Sequence, residues 1–460
     1  MNRHRLLVFF ALLLATAASP AYALDLKECI QRGMANSDRI LAAKAEYDKA
    51  RMERYAAIPN LLPQVSVTAS KLWLDVHSTI PETNTTLPPN TPPEQAQLLG
   101  AIFSAMDFSA FTAVPDHNDD LTLKAYQPIT MLPQLVYYDR ISSDVTELAK
   151  LGYQLTSDQI ALYLGGAYFN VLIAQKNVRA LDRALEQVDR LLKDGQNMMA
   201  QGLITKADLL KFQIRQSDVK IQLLRARNDE AQAKSYLAKL LDLPIEQIDC
   251  QEGEIDLEKP KELGWYLQQG EKDRLELRMT SLQEEMASSA RSAAYLNLIP
   301  QIGAMAQADW NDDGLDTTPD RTYSYGFVLS WNFWGLGADV LKARAASYAN
   351  QQYAHTAKAS RIEIQMSIEK AWRDFSVALE AVDTTQRTLE QAEENFRIEQ
   401  NRYKVGQSTA YDLMGAQTQL TGAETGYNAS IYGAKLAAAA LQLAIGKKPF
   451  PEFMGGNSNE

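Results

Sequence analysis

Residues Leu62–Val65 read LPQV and residues Ile299–Ile302 read IPQI, so the same junction occurs twice in the chain. A second motif also recurs, because GLITKAD begins at Gly202 and GQSTAYD begins at Gly406. The two glycines are about 204 residues apart and the two prolines about 237, which leaves about 33 extra residues in the first copy. The chain is therefore predicted to contain an internal twofold repeat whose first copy carries a long insertion.

The first residues have the pattern of an export signal. Arg3 and Arg5 precede an apolar stretch from Leu6 to Ala17, and an A-x-A cleavage site ends at Ala23. The apolar stretch of about a dozen residues is shorter than the roughly 20 that a membrane-spanning helix needs. We therefore predict that 1–23 is a cleaved signal peptide, with an uncleaved anchor as the alternative.

Each copy predicts a helix, two strands and two long helices. The stretch from about Leu135 to Met199 is rich in helix-forming residues, and a helix of roughly 60 residues would be about 90 Å long, as in a coiled-coil rod. In the second copy we predict one helix from Gly264 to Ile299 and strands over Gln301–Trp310 and Thr322–Phe333. The predicted segments are repeat one (24–245, with a long loop at 75–120), a linker (246–263), repeat two (264–449, with a short loop) and a disordered tail (450–460).

Composition argues against several functional classes. The formal net charge of -11 disfavours nucleic acid as a partner. His4, His77, His117 and His355 are scattered, so we predict no metal site and no cofactor. The sequence has no nucleophile motif and no glycine-rich phosphate loop, so we do not predict an enzyme.

The chain has two cysteines, Cys29 and Cys250, and their spacing matches no zinc or redox motif. They would be able to pair in an oxidising export compartment if the fold brought them together. The sequence does not supply the geometry that decides this, so the pairing stays open.

The last predicted strand alternates large apolar with small or polar residues. Tyr323, Tyr325 and Phe327 fall on one face and Ser324 and Gly326 on the other, as in a barrel strand between lipid and water. A soluble sheet with one buried face is the alternative, but the export signal favours the membrane interpretation. Aromatic residues near strand ends are predicted to lie at the membrane interfaces: Trp73, Trp310, Tyr323, Trp331 and Trp334.

Four strands cannot close a barrel, and open sheet edges are not tolerated in lipid. Two chains would supply eight strands and three would supply twelve, and only the larger barrel leaves room for water. We therefore predict an α+β membrane protein. Its helices form a long α-helical coiled-coil barrel, and its four β-strands contribute to a trimeric twelve-stranded β-barrel.

Several motifs, in order, resemble the TolC-like outer-membrane efflux proteins of Gram-negative bacteria. They are the two LPQ/IPQ junctions, AYFNVL at Ala167, RYKVG at Arg402 and DL at Asp412. The resemblance covers nearly the whole exported chain. It implies a homotrimer in outer-membrane lipid with its helices in the periplasm. It also implies docking to a periplasmic adaptor (a membrane fusion protein) and an inner-membrane transporter.

The resemblance also implies that the turns between the long helices form a periplasmic gate. The matching tip residues are Asp208, Asp412, Arg402, Tyr403, Gly202 and Gly406. A second acid three residues after the last aspartate is replaced here by Gly415. Each aspartate also fits a helix cap three residues after Thr205 or Thr409, and that structural role is the alternative.

The predicted function is a channel-tunnel that exports substrates delivered by the adaptor and pump. The alternative is a periplasmic coiled-coil adaptor or an envelope structural protein, which would not need amphipathic strands with aromatic ends. Efflux of small molecules and type I secretion of proteins use the same kind of conduit. The substrate and the role of loop 75–120 therefore stay open.

Overall fold

The computed structural model describes residues 23–73, 92–105, 117–253, 257–312 and 321–451. The predicted signal peptide before Ala23, the predicted tail beyond Pro451 and much of loop 75–120 lie outside these residues. The described helices and strands, in chain order, are β1 (Ala23–Leu24), α1 (Leu26–Ala35), α2 (Asp38–Ala57), β2 (Gln64–Trp73), α3 (Pro93–Ala105), β3 (His117–Pro128), α4 (Leu132–Ala200), α5 (Lys206–Leu241), β4 (Asp249–Cys250), α6 (Leu263–Asp273), α7 (Leu275–Leu296), β5 (Gln301–Asp312), β6 (Arg321–Ser330), α8 (Leu336–Lys404) and α9 (Ala410–Ala444).

The chain divides into two compact units, one with most of the helical core and one with the four-stranded sheet. The helical unit comprises Met1–Lys49, Thr146–Gln283 and Tyr353–Glu460. The sheet unit comprises Ala50–Val145 and Glu284–Gln352. The predicted combination of long helices and four strands per chain is confirmed, with 69 residues in each of α4 and α8.

The sheet has the strand order β2-β3-β5-β6, and every neighbouring pair is antiparallel. The last strand is shorter than predicted, because β6 ends at Ser330 and not at Phe333. Phe333 donates its N–H to the carbonyl of Trp331 at 3.1 Å, and Gly335 donates to Asn332 at 3.2 Å. These turn hydrogen bonds replace strand pairing just before α8 begins.

The single helix predicted from Gly264 to Ile299 was wrong, because the structure contains α6 and α7 with a break at Arg274. Arg274 has extended backbone angles, and its Nη1 donates to the carbonyl of Ala444 at 2.5 Å. The first repeat breaks in the same way between α1 and α2, where Asn36 Nδ2 donates to the carbonyl of Leu241 at 2.9 Å. In both copies the break therefore caps the last helix of its own repeat.

A large apolar cluster forms the core of the helical unit. Tyr168 and Phe169 are 1% and 3% exposed and pack in this core. Phe450, which the sequence placed in the disordered tail, is 2% exposed and packs against Phe169 with ring centroids 6.3 Å apart. The ordered core therefore extends past residue 449.

Gly446 ends α9 with a positive φ of 80°, and a Cβ there would lie 2.4 Å from the backbone oxygen of Asp273. We expect Gly446→Ala to lower the free energy of unfolding by about 2–5 kcal/mol, from left-handed strain together with overpacking. The measurement is loss of helical circular dichroism on heating. Gly406→Ala is the control, because it has the same strain at φ 76° but open space around its Cβ. An equal decrease in the free energy of unfolding in the two variants would contradict the packing argument.

Candidate functional site

The strand register places most apolar positions of the sheet on one face, with Leu72, Met305 and Val328 on the other. Directly opposed residues share a face, and one row across the four strands is Val67, Leu123, Ala308 and Tyr323. The next row on that face consists of Val65, Ala125, Ala306 and Tyr325.

The row between them is polar and consists of Ser66, Lys124, Gln307 and Ser324. The alternation predicted for the last strand therefore continues in register across the four strands in these three rows.

The apolar face is uncovered in the single chain. Tyr325 is 90% exposed, Phe327 78% and Val67 67%. A continuous apolar patch of this kind is rare on soluble monomers and marks a surface that contacts lipid or protein.

The polar face carries its own hydrogen bonds. The Thr122 hydroxyl donates to Asp309 Oδ1 at 2.8 Å, and Gln307 Nε2 donates to the same oxygen at 2.8 Å. Polar groups that bond to each other in this way suit a surface facing water.

Aromatic side chains mark both ends of the sheet. Trp73 and Trp310 lie at the end of the sheet where the loops begin, and Trp73 is 75% exposed. The ring of Trp310 packs edge-on against the ring of Tyr323, with centroids 6.4 Å apart. Trp331 and Trp334 follow the opposite end and are 47% and 96% exposed. The nine residues from Tyr323 to Trp331, just past the end of β6, span about 26 Å if extended and untilted, close to the apolar band of about 25 Å in membrane barrels.

The two turns between long helices are built alike. Gly202 and Gly406 have positive φ angles of 75° and 76°, which lets the chain reverse after α4 and α8. Thr205 then caps α5 by accepting from the Asp208 N–H at 3.2 Å, and Asp208 accepts in return from the Thr205 N–H at 3.3 Å. The cap of α9 repeats this geometry with Thr409 and Asp412.

Both tip carboxylates are held in their ionised form. A hydrogen bond from the Thr205 hydroxyl lowers the pKa of Asp208, and Lys211 at 3.0 Å lowers it further. A hydrogen bond from the Thr409 hydroxyl lowers the pKa of Asp412 in the same way, and Arg402 adds a smaller effect. The helix-cap role is therefore satisfied for both aspartates, and any further role must use the same charged groups.

Arg402 and Tyr403 have different surroundings. Arg402 is exposed, forms an ion pair with Glu399 at 2.9 Å and donates to the carbonyl of Gln407 at 3.4 Å, so it closes its own turn. Tyr403 is 6% exposed, and its hydroxyl has no hydrogen-bond partner among the described residues. Burial, with the nearby Asp208 and Asp194 carboxylates, raises the pKa of that hydroxyl.

The structure joins the two turns through residues that the sequence analysis did not select. Phe212 is fully buried on α5 and packs edge-on against Tyr403 with ring centroids 5.7 Å apart. Both belong to one apolar cluster at the tip. Its other buried members are Leu191, Phe396, Ala410, Leu413, Met414 and Ala416.

A polar clamp lies beside this cluster. Arg215 on α5 donates through Nε and Nη2 to Gln417 Oε1 on α9, at 3.0 and 2.8 Å. Gln417 in turn donates to the Thr421 hydroxyl at 2.9 Å, and both residues are buried. Nothing local in the sequence pairs α5 with α9, so only the fold reveals this clamp.

The lowered carboxyl pKa values predict an acid-sensitive tip. Ionised Asp208 and Asp412 stabilise the folded state above the unfolded pKa of about 3.9, and this contribution is lost as pH falls through the lower folded values. We expect the double variant Asp208→Asn with Asp412→Asn to unfold at a lower temperature than the wild type at neutral pH. The difference in unfolding temperature between the double variant and the wild type should narrow below about pH 4. The measurement is thermal unfolding followed by circular dichroism from pH 7 to about pH 2.

Thr205→Ala with Thr409→Ala is the matched control, because it removes the hydroxyl donors but keeps both carboxyl groups. We expect it to weaken the acid dependence. A difference between the aspartate variant and the wild type that stays constant with pH would contradict the argument.

Within the described residues, no helix combines the length and apolar character needed to cross a membrane.

Comparisons with known proteins agree with this architecture. Residues 266–447, in the second repeat, match the family model described as outer membrane efflux protein. The structure is similar to the outer membrane protein VceC from Vibrio cholerae, with a TM-score of 0.75 at 16% identity over 92% of this chain and 96% of that chain. No match was found among curated proteins.

Two outer membrane channels show the same likeness. CmeC from Campylobacter jejuni has a TM-score of 0.74 at 14% identity, over 92% of this chain and 85% of that chain. MtrE from Neisseria gonorrhoeae, solved in its open state, has a TM-score of 0.72 at 15% identity, over 92% of this chain and 89% of that chain. The predicted resemblance is therefore confirmed: the chain has the fold of the TolC-like outer-membrane efflux channels and carries their family sequence pattern in its second repeat.

Proposed function

We propose that the protein is an outer-membrane channel that assembles as a homotrimer. The observation that carries this proposal is the uncovered apolar face of the sheet, in register across four strands and bounded by aromatic residues. Such a face fits the lipid side of a membrane barrel, and the polar face fits a water-filled lumen. The predicted signal peptide at 1–23 would direct export and then be cleaved.

The sheet edges support the trimer. Among the described residues, β2 pairs only with β3 and β6 pairs only with β5, so each has one unpaired edge. Backbone groups on such an edge are costly in lipid unless another strand satisfies them. Pairing β6 of one copy with β2 of the next closes twelve strands in three copies and leaves a lumen wide enough for water.

The long helices supply the periplasmic part of the proposed conduit. Three copies of α4, α5, α8 and α9 would enclose a tunnel, with the turns at Gly202 and Gly406 at its periplasmic end. Asp208 and Asp412 would then place two carboxylates from each copy around the entrance. Rings of like charge attract counter-ions and resist close approach, which suits a gate for cations.

The channel has no energy source of its own, so transport would be driven by partners. By the family resemblance, these are a periplasmic adaptor and an inner-membrane transporter. The mouth residues next to the turns would meet the adaptor. The same assembly serves efflux of small molecules or secretion of proteins, and the selectivity would lie mostly in the transporter.

Fractionation and conductance test this proposal. We expect heat-modifiable trimers in the outer-membrane fraction, and purified trimers should form channels in planar bilayers with a small, cation-blocked conductance. A soluble periplasmic pool would contradict the channel and support the alternative, a periplasmic adaptor or envelope tether.

Asp412→Ala tests the proposed gate in the same bilayers. We expect weaker block by multivalent cations and a changed conductance with lower selectivity for cations, because half of the carboxylates at the entrance are removed. Asp383→Ala is the control, since this exposed acid pairs with Arg387 on α8 away from the turns. Unchanged conductance and unchanged cation block in Asp412→Ala would defeat the gate role.

A further inference from the structure

The two cysteines of the chain, distant in sequence, meet in the helical unit. Cys29 is fully buried on α1 and Cys250 is 5% exposed on β4, and both belong to the same apolar cluster. Strand β1 pairs in parallel with β4 so that Leu24 lies opposite Cys250. Helix α1 begins two residues after Leu24, so Cys29 lies in the first turn of this helix, five residues after Leu24.

Tyr168 holds this arrangement from a third element. Its hydroxyl lies 2.9 Å from the carbonyl oxygen of Leu24 and also within hydrogen-bond distance of the carbonyl oxygen of Gln251. Gln251 in turn donates its N–H to the carbonyl of Leu24 at 3.1 Å. Strand β1 and the residue after Cys250 are therefore tied together by the Gln251 N–H and by the single hydroxyl proton of the buried Tyr168, which two carbonyl oxygens share.

The electrostatics of the two thiols agree with their proximity. Burial raises the pKa of Cys250 to about 12 and raises that of Cys29 still further. After burial, the next largest influence on Cys29 is Cys250 itself. Cys250 therefore lies close enough to influence the Cys29 thiol, and the structure contains both as free thiols.

We propose that Cys29 and Cys250 form an intramolecular disulfide in the exported protein, linking the N-terminal helix to the segment between the repeats. This inference rests on the proposed outer-membrane location, because export exposes the chain to an oxidising compartment. With no other cysteine in the chain, the pair has no competing intramolecular partner.

The chemistry is thiol–disulfide exchange with an oxidised dithiol protein of that compartment. One cysteine loses its proton and attacks the disulfide of the oxidant, which forms a mixed disulfide and releases one thiolate of the oxidant. The second cysteine then loses its proton and attacks the mixed disulfide. The Cys29–Cys250 bond forms, and the oxidant leaves as a dithiol carrying both electrons and both protons.

The burial of both thiols determines when the bond forms. A thiolate is the attacking species, and a buried thiol with a raised pKa is rarely ionised and cannot reach an oxidant. The bond must therefore form while the chain folds, before α1 and β4 close over it. After folding, the same burial protects it from reductants.

Alkylation mapping of the full-length protein tests the pairing. Protein from the outer-membrane fraction is quenched in acid, denatured and treated with a maleimide before and after reduction. We expect labelling only after reduction, and peptides containing Cys29 and Cys250 should be linked in a non-reduced digest. Labelling of both cysteines without reduction, in protein located in the outer membrane as trimers, would overturn the disulfide and leave the proposed channel intact.

The same samples also show whether the channel proposal fails while the disulfide proposal holds. A soluble periplasmic protein with linked cysteines would keep the disulfide and defeat the channel. An unprocessed cytoplasmic protein with free thiols would defeat both.

Stability measurements provide a second readout. We expect reductant present during heating to lower the unfolding midpoint of the wild type by several degrees, because it removes a cross-link that closes a very long loop. The double variant Cys29→Ala with Cys250→Ala should unfold at the same temperature with or without reductant. Each single variant should behave like the double variant in this respect. An equal response to reductant in the wild type and the double variant would contradict the bond.

Discussion

Tyr325→Arg is expected to prevent assembly of the protein in the outer membrane. Tyr325 lies in the middle of β6 on the apolar face and is 90% exposed in the single chain. An arginine on the lipid face near the bilayer midplane costs about 2–4 kcal/mol per site, or about 6–12 kcal/mol for the three copies of a trimer. The heat-modifiable trimer should therefore be lost from the outer-membrane fraction, and degradation of the unassembled chain should follow.

Ser324→Arg is the matched control for this prediction. Ser324 is the adjacent residue of the same strand, but it lies in the polar row with Lys124 and Gln307. An arginine there would face the proposed aqueous lumen and should leave assembly nearly unchanged, with an effect on ion selectivity instead. If both variants assemble equally well, or if only Ser324→Arg fails, the assignment of the two faces is wrong.

Phe212→Ala should have the largest effect on the helical tip. Phe212 is fully buried against Tyr403, and replacing a buried phenylalanine by alanine costs about 3–5 kcal/mol. The ends of α4, α5, α8 and α9 would lose the side chain that joins them. We expect a lower thermal unfolding midpoint together with a larger and noisier single-channel conductance.

Leu210→Ala on the same helix is the control, because Leu210 is 47% exposed and lies outside the buried cluster. It should change the unfolding midpoint only slightly and leave the conductance as in the wild type. A strongly destabilised Phe212→Ala protein with an unchanged conductance would show that the cluster stabilises the fold without controlling the entrance.

In the two repeats, the features that depend on local sequence were predicted, and a feature that depends on long-range contacts was missed. The caps at Thr205 and Thr409 and the turns at Gly202 and Gly406 were predicted, because each depends on a few neighbouring residues. The helix break at Arg274 was missed. No proline or glycine occurs at that position, and the break is caused by carbonyl groups of α9, about 170 residues later.

The residues of the candidate site also fall into those that the sequence predicted and those that only the fold reveals. The aromatic strand ends were predicted from alternation, and both tip aspartates were predicted from the family resemblance, with a helix cap as the alternative. Phe212 and the clamp between Arg215 and Gln417 were not, because each is an ordinary helical residue until a second helix packs against it. The sequence also placed Arg402 and Tyr403 in one role, whereas the structure separates an exposed arginine from a buried tyrosine.

Local patterns in the sequence are enough to predict the repeat, the order and type of most elements, the helix caps and the two-sided character of the last strand. These properties depend on patterns read within one turn of helix or a few strand positions. The tertiary structure alone decided which strand faces align, where the second repeat breaks, which side chains join the two tips and that Cys29 lies near Cys250. Each of these depends on contacts between residues far apart in the chain, and such contacts form only when the whole chain packs.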